Sequence, residues 1–427
     1  MIDLKRVRQD PDAARAALER RLDPALGPAL DELLALDRRR RSLLTRAEQL
    51  KAERNAATEE VARRKRAGEP ADELLATLKL SGDAVKSLDS EVREVDGNVD
   101  ALALSLPNFP LDEIPDGGAA ANRLLRAWGD RPAFDFAPRP HWEIGASLGL
   151  FDLARGAKLA GSGFPLFTGV GARLVRALAN FMLDLHTREH GYTEVAPPYL
   201  VNRAALTGTG QLPKFDDDLY ASPADDLFLI PTAEVPVTNI HRDEVLDAAQ
   251  LPAAYVAWTP CFRREAGAHG KDTRGLIRVH QFDKVELVRL ARPERSPAEH
   301  ELLTGHAEAV LQRLALPYRV IELAAGDTGF SAARTCDLEV WAPGVDAWLE
   351  VSSSSSFTDF QARRAGIRFR REAGAKPEFV HTLNASALAF PRTIIAILEN
   401  NQAADGSVRV PEALAPYLGT DRLVAGA

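Results

Sequence analysis

Apolar residues recur at every seventh position over much of the first hundred residues of the chain. The clearest row consists of Leu78, Val85, Val92, Val99 and Leu106. Sustained heptad spacing is typical of helices that pack along a narrow stripe, as in a coiled coil. A less regular row precedes it, and a break with both glycine and proline, at residues 67–70, separates the two. We therefore predict two long helices folded back as an antiparallel coiled-coil arm over about residues 28–105.

The rest of the chain mixes helical and strand periodicity. Helices are predicted at Gly171–His190, Ala298–Leu314 and Thr393–Gln402. Short strands are predicted at Thr193–Val195, Val279–Phe282, Val285–Val288, Leu338–Trp341 and Trp348–Ser352. Because helices and strands do not alternate one for one, we expect an α+β fold with an antiparallel sheet. Residues 107–140, rich in proline, are predicted to link an N-terminal domain, residues 1–106, to a larger domain, residues 141–427.

Composition and charge exclude several classes of protein. The 427 residues are 45% hydrophobic and 27% charged, as in globular domains, so the chain is not disordered, collagen-like or a disulfide scaffold. The net charge of −8 argues against a protein that coats nucleic acid over its whole surface, although a local basic patch can still bind it.

Cysteine usage and hydropathy set further expectations. Cys261 and Cys336 lie far apart, and no cysteine or histidine cluster has zinc-ligand spacing, so we expect no zinc. The N-terminus lacks the apolar segment of a signal peptide, and no uncharged apolar run reaches the roughly 18 residues of a transmembrane helix. We expect a cytoplasmic protein without a membrane partner.

Basic residues are concentrated on the first helix of the arm and at its tip. They are Arg38, Arg40, Arg41, Arg63, Arg64, Lys65 and Arg66. One basic side on a thin arm suits a nucleic-acid phosphate backbone. A solvated coiled-coil surface with ion pairs has the same composition. Charge alone leaves both interpretations open.

A strand, a long basic loop with Lys271 and Arg274, and a return strand form the first candidate chemical motif. Alternation would put Arg263 and Glu265 on one face of the first strand. An arginine, an acid and an aromatic ring such as Phe282 can bind a phosphate, an amine and a flat base. A surface hairpin with ion pairs is the alternative. A phosphate-binding Walker loop is excluded because the glycine and hydroxyl positions that it requires are not matched.

Two further segments carry candidate ligands. Glu350 ends a strand pattern and is followed by the serine run 352–356, a combination of hard oxygen ligands that suits Mg²⁺. Pro391 and Arg392 stand just before a predicted helix, where an arginine can direct its guanidinium into a site.

In this order behind a coiled-coil arm, the segments resemble the seryl-tRNA synthetase family, class II aminoacyl-tRNA synthetases, in its bacterial form. The resemblance covers essentially the whole chain. The three class II motifs resemble residues 191–201, 262–286 and 388–392. Segments that resemble family-specific signatures are residues 207–215, 231–234 and 350–364. The resemblance implies a class II antiparallel-sheet catalytic domain behind a tRNA-binding arm, and a homodimer through motif 1.

The resemblance also implies roles for single residues toward ATP and Mg²⁺. Arg263 would bind the α-phosphate and the substrate carboxylate, and Arg392 the γ-phosphate, as the two catalytic residues. Glu265 would meet the adenine amine, and Phe282 would stack on the adenine ring. Glu350 and Ser353 would hold Mg²⁺. The full implied ATP-binding set is Arg263, Arg264, Glu265, Val279, Phe282, Glu350, Val351, Ser352, Ser353 and Arg392.

The implied substrates are L-serine, ATP and serine tRNA. Serine would be activated to seryl-adenylate and transferred to the tRNA; selenocysteine tRNA is a further candidate. The implied serine-binding residues are Thr232, Ala233, Glu234, Arg263, Glu286, Asn384 and Ser386, with Glu286 as the acceptor for the serine hydroxyl. Ala385 and Ala387 stand where the family commonly has glycine, so they add methyl groups beside this pocket.

Two other functions remain open on the sequence. One is a related enzyme that makes an aminoacyl-adenylate but loads a carrier protein, for which a basic arm is not needed. The other is a non-catalytic RNA-binding homologue, which predicts loss of the site residues. Against it, the chain keeps Arg263, Glu265, Glu286, Glu350 and Arg392.

Overall fold

The computed structural model describes residues 1–266 and 274–426 and divides them into two compact units. The first unit comprises mainly Ile2–Glu19 and Asp23–Pro107, and the second mainly residues 108–426. In this part of the chain, no helix is both long and apolar enough to cross a membrane.

The first unit is helical. Its helices are α1 (Leu4–Gln9), α2 (Pro11–Glu19), α3 (Leu26–Ala67) and α4 (Asp72–Ser105). α3 ends where Gly68 adopts a left-handed φ of 72°, and the amide of Glu69 then donates to the carbonyl of Arg64 (2.9 Å). Heptad residues such as Val92 and Val99 are buried along the seam between α3 and α4. The predicted coiled-coil hairpin is confirmed.

The second unit contains the remaining helices and all the strands of the described residues. The helices are α5 (His141–Leu148), α6 (Leu153–Ala160), α7 (Gly169–Arg188), α8 (Arg203–Thr209), α9 (Glu234–Thr238), α10 (Ser296–Arg313), α11 (Phe360–Ala365), α12 (Phe390–Asn400) and α13 (Ala415–Leu418). Short 3₁₀ helices occur at Ala119–Ala121, Asp216–Asp218, Asn239–His241, Ala248–Gln250 and Pro293–Arg295.

The strands comprise a main sheet and several small ones. They are β1 (Arg123–Trp128), β2 (Phe151–Asp152), β3 (Leu166–Phe167), β4 (Thr193–Glu194), β5 (Leu200–Asn202), β6 (Ala221–Ser222), β7 (Leu227–Leu229), β8 (Val245–Asp247), β9 (Ala253–Phe262), β10 (Gln281–Ala291), β11 (Tyr318–Glu322), β12 (Arg334–Ala342), β13 (Ala347–Ser356), β14 (Arg368–Arg370), β15 (Glu378–Phe379), β16 (His381–Ala389), β17 (Val408–Arg409) and β18 (Arg422–Leu423).

One eight-stranded sheet organises this unit. Its order is β1-β11-β12-β13-β16-β10-β9-β4, antiparallel except for the parallel pair of β4 and β9. Helices α7, α10 and α12 bury an apolar face against it, with Leu178, Leu303 and Ile395 among the fully buried side chains. Helices on an antiparallel sheet form an α+β fold, so the predicted fold class is confirmed.

Strand boundaries differ from the prediction where tertiary contacts decide them. β10 includes the predicted strand Val285–Val288 and continues to Ala291. Of the predicted strand Val279–Phe282, the first two residues lie before β10, since the His280 amide donates to the carbonyl of Gly163 (2.9 Å). β13 extends through the whole serine run because buried hydroxyls find partners: Ser354 contacts Thr304 at 2.9 Å.

Residues 107–140, predicted as a linker, contain a strand of the main sheet. β1 pairs antiparallel with β11. Near the start of the segment, the side-chain amide of the buried Asn108 donates to the carbonyl of Phe357 (2.8 Å). The proline-rich segment therefore contributes to the second unit and is more than a connection.

Candidate active site

Segments that are distant in sequence line one cavity of about 400 Å³ in the second unit. The lining comes from the chain that follows β9, from β10, β13 and β16, and from the first turn of α12. Most of the residues predicted to bind ATP or serine line it: Thr232, Glu234, Arg263, Glu265, Val279, Phe282, Glu350, Val351, Ser352, Ser353, Asn384, Ser386 and Arg392. Three predicted residues are not among the lining residues. Ala233 and Glu286 are fully buried, and Arg264 is exposed.

One end of the cavity combines an arginine, an aromatic ring and a carboxylate. The guanidinium carbon of Arg263 lies 5.3 Å from the ring centroid of Phe282, and Glu265 is ion-paired with Arg278. The prediction that Arg263 and Glu265 alternate along the first strand is wrong, because β9 ends at Phe262 and both residues follow it. Both nevertheless line the cavity. This end can hold a flat base, its amine and a phosphate.

The basic loop between β9 and β10 is described only in part. Lys271 lies outside the described residues. The guanidinium carbon of Arg274 is 4.3 Å from the centroid of the Trp142 ring, a cation–π contact. Of the two basic residues predicted for this loop, Arg274 therefore lies on the face of an aromatic ring.

Arg392 is held in place by backbone carbonyls. Its guanidinium donates to the carbonyl of Glu350 (2.7 Å) and to that of Ile277 (3.2 Å). α12 begins at Phe390 and not at Thr393, so Arg392 lies in its first turn and not just before it. Its side chain lines the cavity, as the sequence predicted. A guanidinium fixed in this way is preorganised for an anion.

Hard oxygen atoms gather next to Arg392. The side chain of Glu350 is 48% exposed, and Ser353 lines the cavity further along β13. Across the sheet, Asp337 of β12 is in register with Ser353, and its Oδ1 has no hydrogen-bond partner among the described residues. Burial, followed by the carboxylate of Glu350, raises the pKa of Asp337 well above its usual value. A cation here would offset this repulsion.

The donor set fits Mg²⁺. Within residues 1–266 and 274–426, no group of three or more His, Cys, Asp or Glu is arranged to hold a metal ion by itself. Mg²⁺ is commonly bound by one or two protein oxygens, with substrate phosphates and water as the other ligands. Glu350 and Ser353 can supply those protein oxygens.

A second part of the cavity, which we call its amino acid end, is built around a buried carboxylate. Glu286 accepts hydrogen bonds from Thr232 (3.1 Å) and Asn384 (2.9 Å) and is ion-paired with Lys284. Each of these three partners lines the cavity, so Glu286 lies one layer behind its wall. A carboxylate offers about four acceptor positions, so a fourth donor can still be accommodated.

Glu234 is a second buried carboxylate at this end. It is 7% exposed, and its Oε1 accepts a hydrogen bond from the side-chain amide of Gln361 (2.6 Å). Burial raises its pKa to about 7, and the nearby charge of Glu286 adds to this, while Gln361, Lys284 and Arg263 act in the opposite direction. A buried acid that titrates near neutral pH is well suited to bind a cationic group reversibly.

Sequence reasoning missed several residues of this cavity. Arg278 and Lys284 lay inside quoted motifs but received no role, and Thr209, Gln211 and Phe330 also line the cavity. Gln361 received no role either; it lies behind the lining and contacts Glu234. The charge alternation of Lys284 with Glu286 was a usable signal, because a lysine and an acid two apart on a strand share one face. No sequence signal pointed from Gln361 to Glu234, since these residues are 127 positions apart.

The basic residues of the arm divide into two groups. Those paired with the acids Asp37 or Glu60 are Arg40, Arg41, Arg63 and Arg64. Those exposed and without an ion pair in the described ranges are Arg38, Lys65 and Arg66. Asp37 is 1% exposed, so two of the first group neutralise a buried charge. The ion-pair interpretation therefore holds for the first group, and nucleic-acid binding by the arm stays a prediction.

The antiparallel sheet carries one cavity that is lined by Arg263, Glu265 and Phe282 and by Arg392 from the first turn of α12. These features define the core of a class II aminoacyl-tRNA synthetase. Comparison with known proteins agrees. A family model for the "tRNA synthetase class II core domain (G, H, P, S and T)" matches residues 214–401. A second, for the "Seryl-tRNA synthetase N-terminal domain", matches residues 1–110.

Whole-chain relatives specify the family. The serine–tRNA ligase of Gemmatimonas aurantiaca is 57% identical over 98% of this chain and 99% of its own length. That of Exiguobacterium sibiricum is 54% identical over 100% of both chains. The crystal structure of seryl-tRNA synthetase from Pyrococcus horikoshii complexed with ATP is 39% identical over 100% of both chains, with a TM-score of 0.95. This chain belongs to the seryl-tRNA synthetase family.

Proposed function

We propose that this chain activates L-serine with ATP to form seryl-adenylate and transfers the seryl group to serine tRNA. The observation that carries the proposal is that one cavity combines an aromatic and arginine end with a carboxylate end. The first suits a nucleotide and the second suits a small amino acid. Membership of a family whose relatives are named serine–tRNA ligase supports the same activity.

At the nucleotide end, we assign the adenine ring to the face of Phe282 and its amine to Glu265. Arg263 would bind the α-phosphate and the serine carboxylate, and Arg392 the γ-phosphate. The P. horikoshii relative, which was crystallised with ATP, supports ATP as the nucleotide. Arg264 is exposed, so we assign it a role in nucleotide binding through its backbone only.

Glu350 and Ser353 would hold Mg²⁺ beside these phosphates. When bound, the ion supplies positive charge that neutralises phosphate oxygens. The residues of the chain supply position: Arg392 is fixed by two carbonyls. The unpartnered Oδ1 of Asp337 supports a cation at this place.

At the amino acid end, the serine ammonium group would bind Glu234 and its hydroxyl would reach Glu286. The three described donors to Glu286 leave one acceptor position for that hydroxyl. Alanine would leave this position unpaired. A site built around a substrate hydroxyl rejects the analogue without it by about 10⁴-fold or more.

The chemistry needs positioning more than a protein nucleophile. The serine carboxylate attacks the α-phosphorus of ATP in line and pyrophosphate leaves. A terminal hydroxyl of the tRNA then attacks the adenylate carbonyl and AMP leaves. Arg263 and Arg392 stabilise the charge that develops on the phosphates, and the buried cavity walls fix the reactants in line.

The arm and the dimer belong to the same proposal. Residues 1–106 would bind tRNA through shape and backbone, with Arg38, Lys65 and Arg66 on phosphates, and residues 141–427 would form the catalytic domain. A homodimer through motif 1 is supported by β4 at the edge of the main sheet and by the exposed apolar side chains of Tyr199 and Leu200. We place this activity in the cytoplasm.

The first experiment is ATP–pyrophosphate exchange with each amino acid and no tRNA. Serine-dependent exchange is expected, together with charging of serine tRNA and a dimer mass in sedimentation. Exchange with a different amino acid would favour the carrier-protein enzyme. No exchange with any amino acid would overturn the proposal and leave the RNA-binding homologue. Charging of serine tRNA and of selenocysteine tRNA is measured in a separate aminoacylation assay with each tRNA added.

A further inference from the structure

Gln361 connects three elements behind the amino acid end of the cavity. It lies in α11 and is fully buried. Its amide nitrogen donates to Oε1 of Glu234 (2.6 Å) and to the backbone carbonyl of Thr209 (3.1 Å). Its amide oxygen accepts a hydrogen bond from the hydroxyl of Thr382 (2.7 Å). The hydrogen-bonding capacity of the amide nitrogen is thereby fully used.

These partners fix the orientation of the Gln361 amide. A backbone carbonyl can only accept, so the group that faces Thr209 must be the NH₂ group. The same nitrogen therefore faces Glu234, and Thr382 must donate to the oxygen. The usual uncertainty between the two ends of a glutamine amide does not arise here.

The contact with Gln361 favours one charge state of Glu234. An amide N–H can donate to a carboxylate but cannot accept the proton of a carboxylic acid, so it stabilises the ionised form. The other charged groups that face Glu234 are Glu286 and Lys284 of β10 and Arg263 after β9. Burial and Glu286 oppose ionisation, and Gln361 comes first among the groups that favour it.

We propose that Gln361 is a positioning residue that holds the Glu234 carboxylate ionised and aimed at the cavity, ready for the substrate ammonium group. The inference rests on the proposed function, since it assigns that ammonium group to Glu234. Gln361 does not line the cavity itself. It acts through Glu234, and Thr382 and the Thr209 carbonyl keep it in place.

The test is the pH dependence of kcat/KM for serine in ATP–pyrophosphate exchange between pH 6 and 9. In Gln361→Glu, two adjacent carboxyl groups would share a proton, so the apparent pKa is expected to rise by about one unit or more. Near pH 7, KM for serine should rise about tenfold, with KM for ATP unchanged. At pH 9 the variant should approach the wild type. A merely structural defect would not be reversed by pH.

Gln361→Met removes the donor without adding an acid and should raise the apparent pKa by a smaller amount. Thr382→Val removes the donor to the amide oxygen of Gln361 and should raise the apparent pKa by a still smaller amount. Gln312→Met is the matched control, because Gln312 donates to Tyr318 away from the cavity. It should leave the pH profile unchanged. Thr382→Val keeps the test valid if both Gln361 variants fail to fold.

Glu234→Gln tests the proposed ammonium site separately from the positioning role of Gln361. If it leaves KM for serine unchanged, the proposed ammonium site is wrong. If it raises KM while the folded Gln361 and Thr382 variants keep the wild-type pH profile, Gln361 has no positioning role and only this inference is overturned.

Discussion

At the scale of single residues, the buried carboxylate of Glu286 lies behind the cavity wall and contacts Thr232, Lys284 and Asn384. Glu286→Gln keeps the shape but leaves the buried ammonium of Lys284 without its counter-charge. We expect kcat/KM for serine to fall at least about 100-fold, and the free energy of unfolding to fall by about 3–5 kcal/mol. Exchange kinetics at saturating ATP and urea denaturation measure the two effects. Unchanged serine kinetics would contradict the assignment.

The hydroxyl of Ser353 is the second residue-scale prediction. Ser353→Ala should raise the Mg²⁺ concentration required for half-maximal exchange by about tenfold, because a hard oxygen ligand is lost. Ser354→Ala is the matched control on the same strand, since Ser354 points to α10 and contacts Thr304. Its Mg²⁺ dependence should equal that of the wild type. If the two variants required the same Mg²⁺ concentration, Ser353 would not be a ligand of the metal ion.

The sequence predicts which residues gather at the site better than it predicts their arrangement. Arg263, Phe282 and Arg392 line the cavity as expected, because each lies beside a motif that the sheet brings together. Glu286 lies behind the wall, since burial of its charge depends on Lys284 and Asn384 from two strands. Such a layered arrangement depends on tertiary packing, which one strand's periodicity does not encode.

At the scale of elements, a buried ion pair joins β10 to α10. Arg289 and Glu299 lie 2.6 Å apart and are 6% and 4% exposed. Glu299→Ala should lower the free energy of unfolding by about 3–5 kcal/mol, because Arg289 is left buried and unpaired. Replacing both, as Arg289→Met with Glu299→Leu, should recover most of the loss. Chemical denaturation of the three proteins checks this, and a double variant as unstable as the single one would refute it.

A glycine ends α8 where no side chain fits. Gly210 has a φ of 84°, and an added Cβ would lie 2.2 Å from Oγ of Ser331. Gly210→Ala should therefore lower the free energy of unfolding by at least about 1–2 kcal/mol. Gly97→Ala, within α4 and with open space around it, should raise it by about 0.5–1 kcal/mol. Thermal unfolding that gave the same sign for both would contradict this reasoning.

Elements with strong local signals are predicted well. The arm follows from heptads and one glycine–proline break, and α7, α10 and α12 lie within a few residues of their predicted bounds. The strand β1 was missed, because its side chains are mostly exposed and its hydrogen bonds come from β11, far along the chain. Exposed edge strands leave little periodicity in a sequence.

At the scale of the whole molecule, the exposed arm residues should affect the second reaction step only. Lys65→Ala with Arg66→Ala should raise KM for serine tRNA several-fold and reduce the salt dependence of tRNA binding, because phosphate contacts are lost. Tip residues do not line the cavity, so pyrophosphate exchange should be unchanged.

Arg40→Ala is the informative comparison for the arm. Arg40 pairs with the buried Asp37, so this variant should lower the stability of the helical hairpin while it changes the salt dependence of tRNA binding less. Measurement of both binding and thermal unfolding distinguishes the two groups of basic residues. If Arg40→Ala changed tRNA binding as much as the double variant of Lys65 and Arg66 does, the ion pairs within the arm would not distinguish residues that bind tRNA from residues that do not.

The position of β16 has a consequence for how the protein is made. β16 lies between β13 and β10 and pairs with both, yet it is the last long strand in the chain. Until residue 389 has been synthesised, β10 and β13 each keep an open edge that other chains can pair with. The hydrogen bond from Asn384 to Glu286 also cannot form earlier, since Asn384 belongs to β16. A chain that ends before this strand therefore has two separate parts of the sheet and lacks the partner that β16 provides for Glu286.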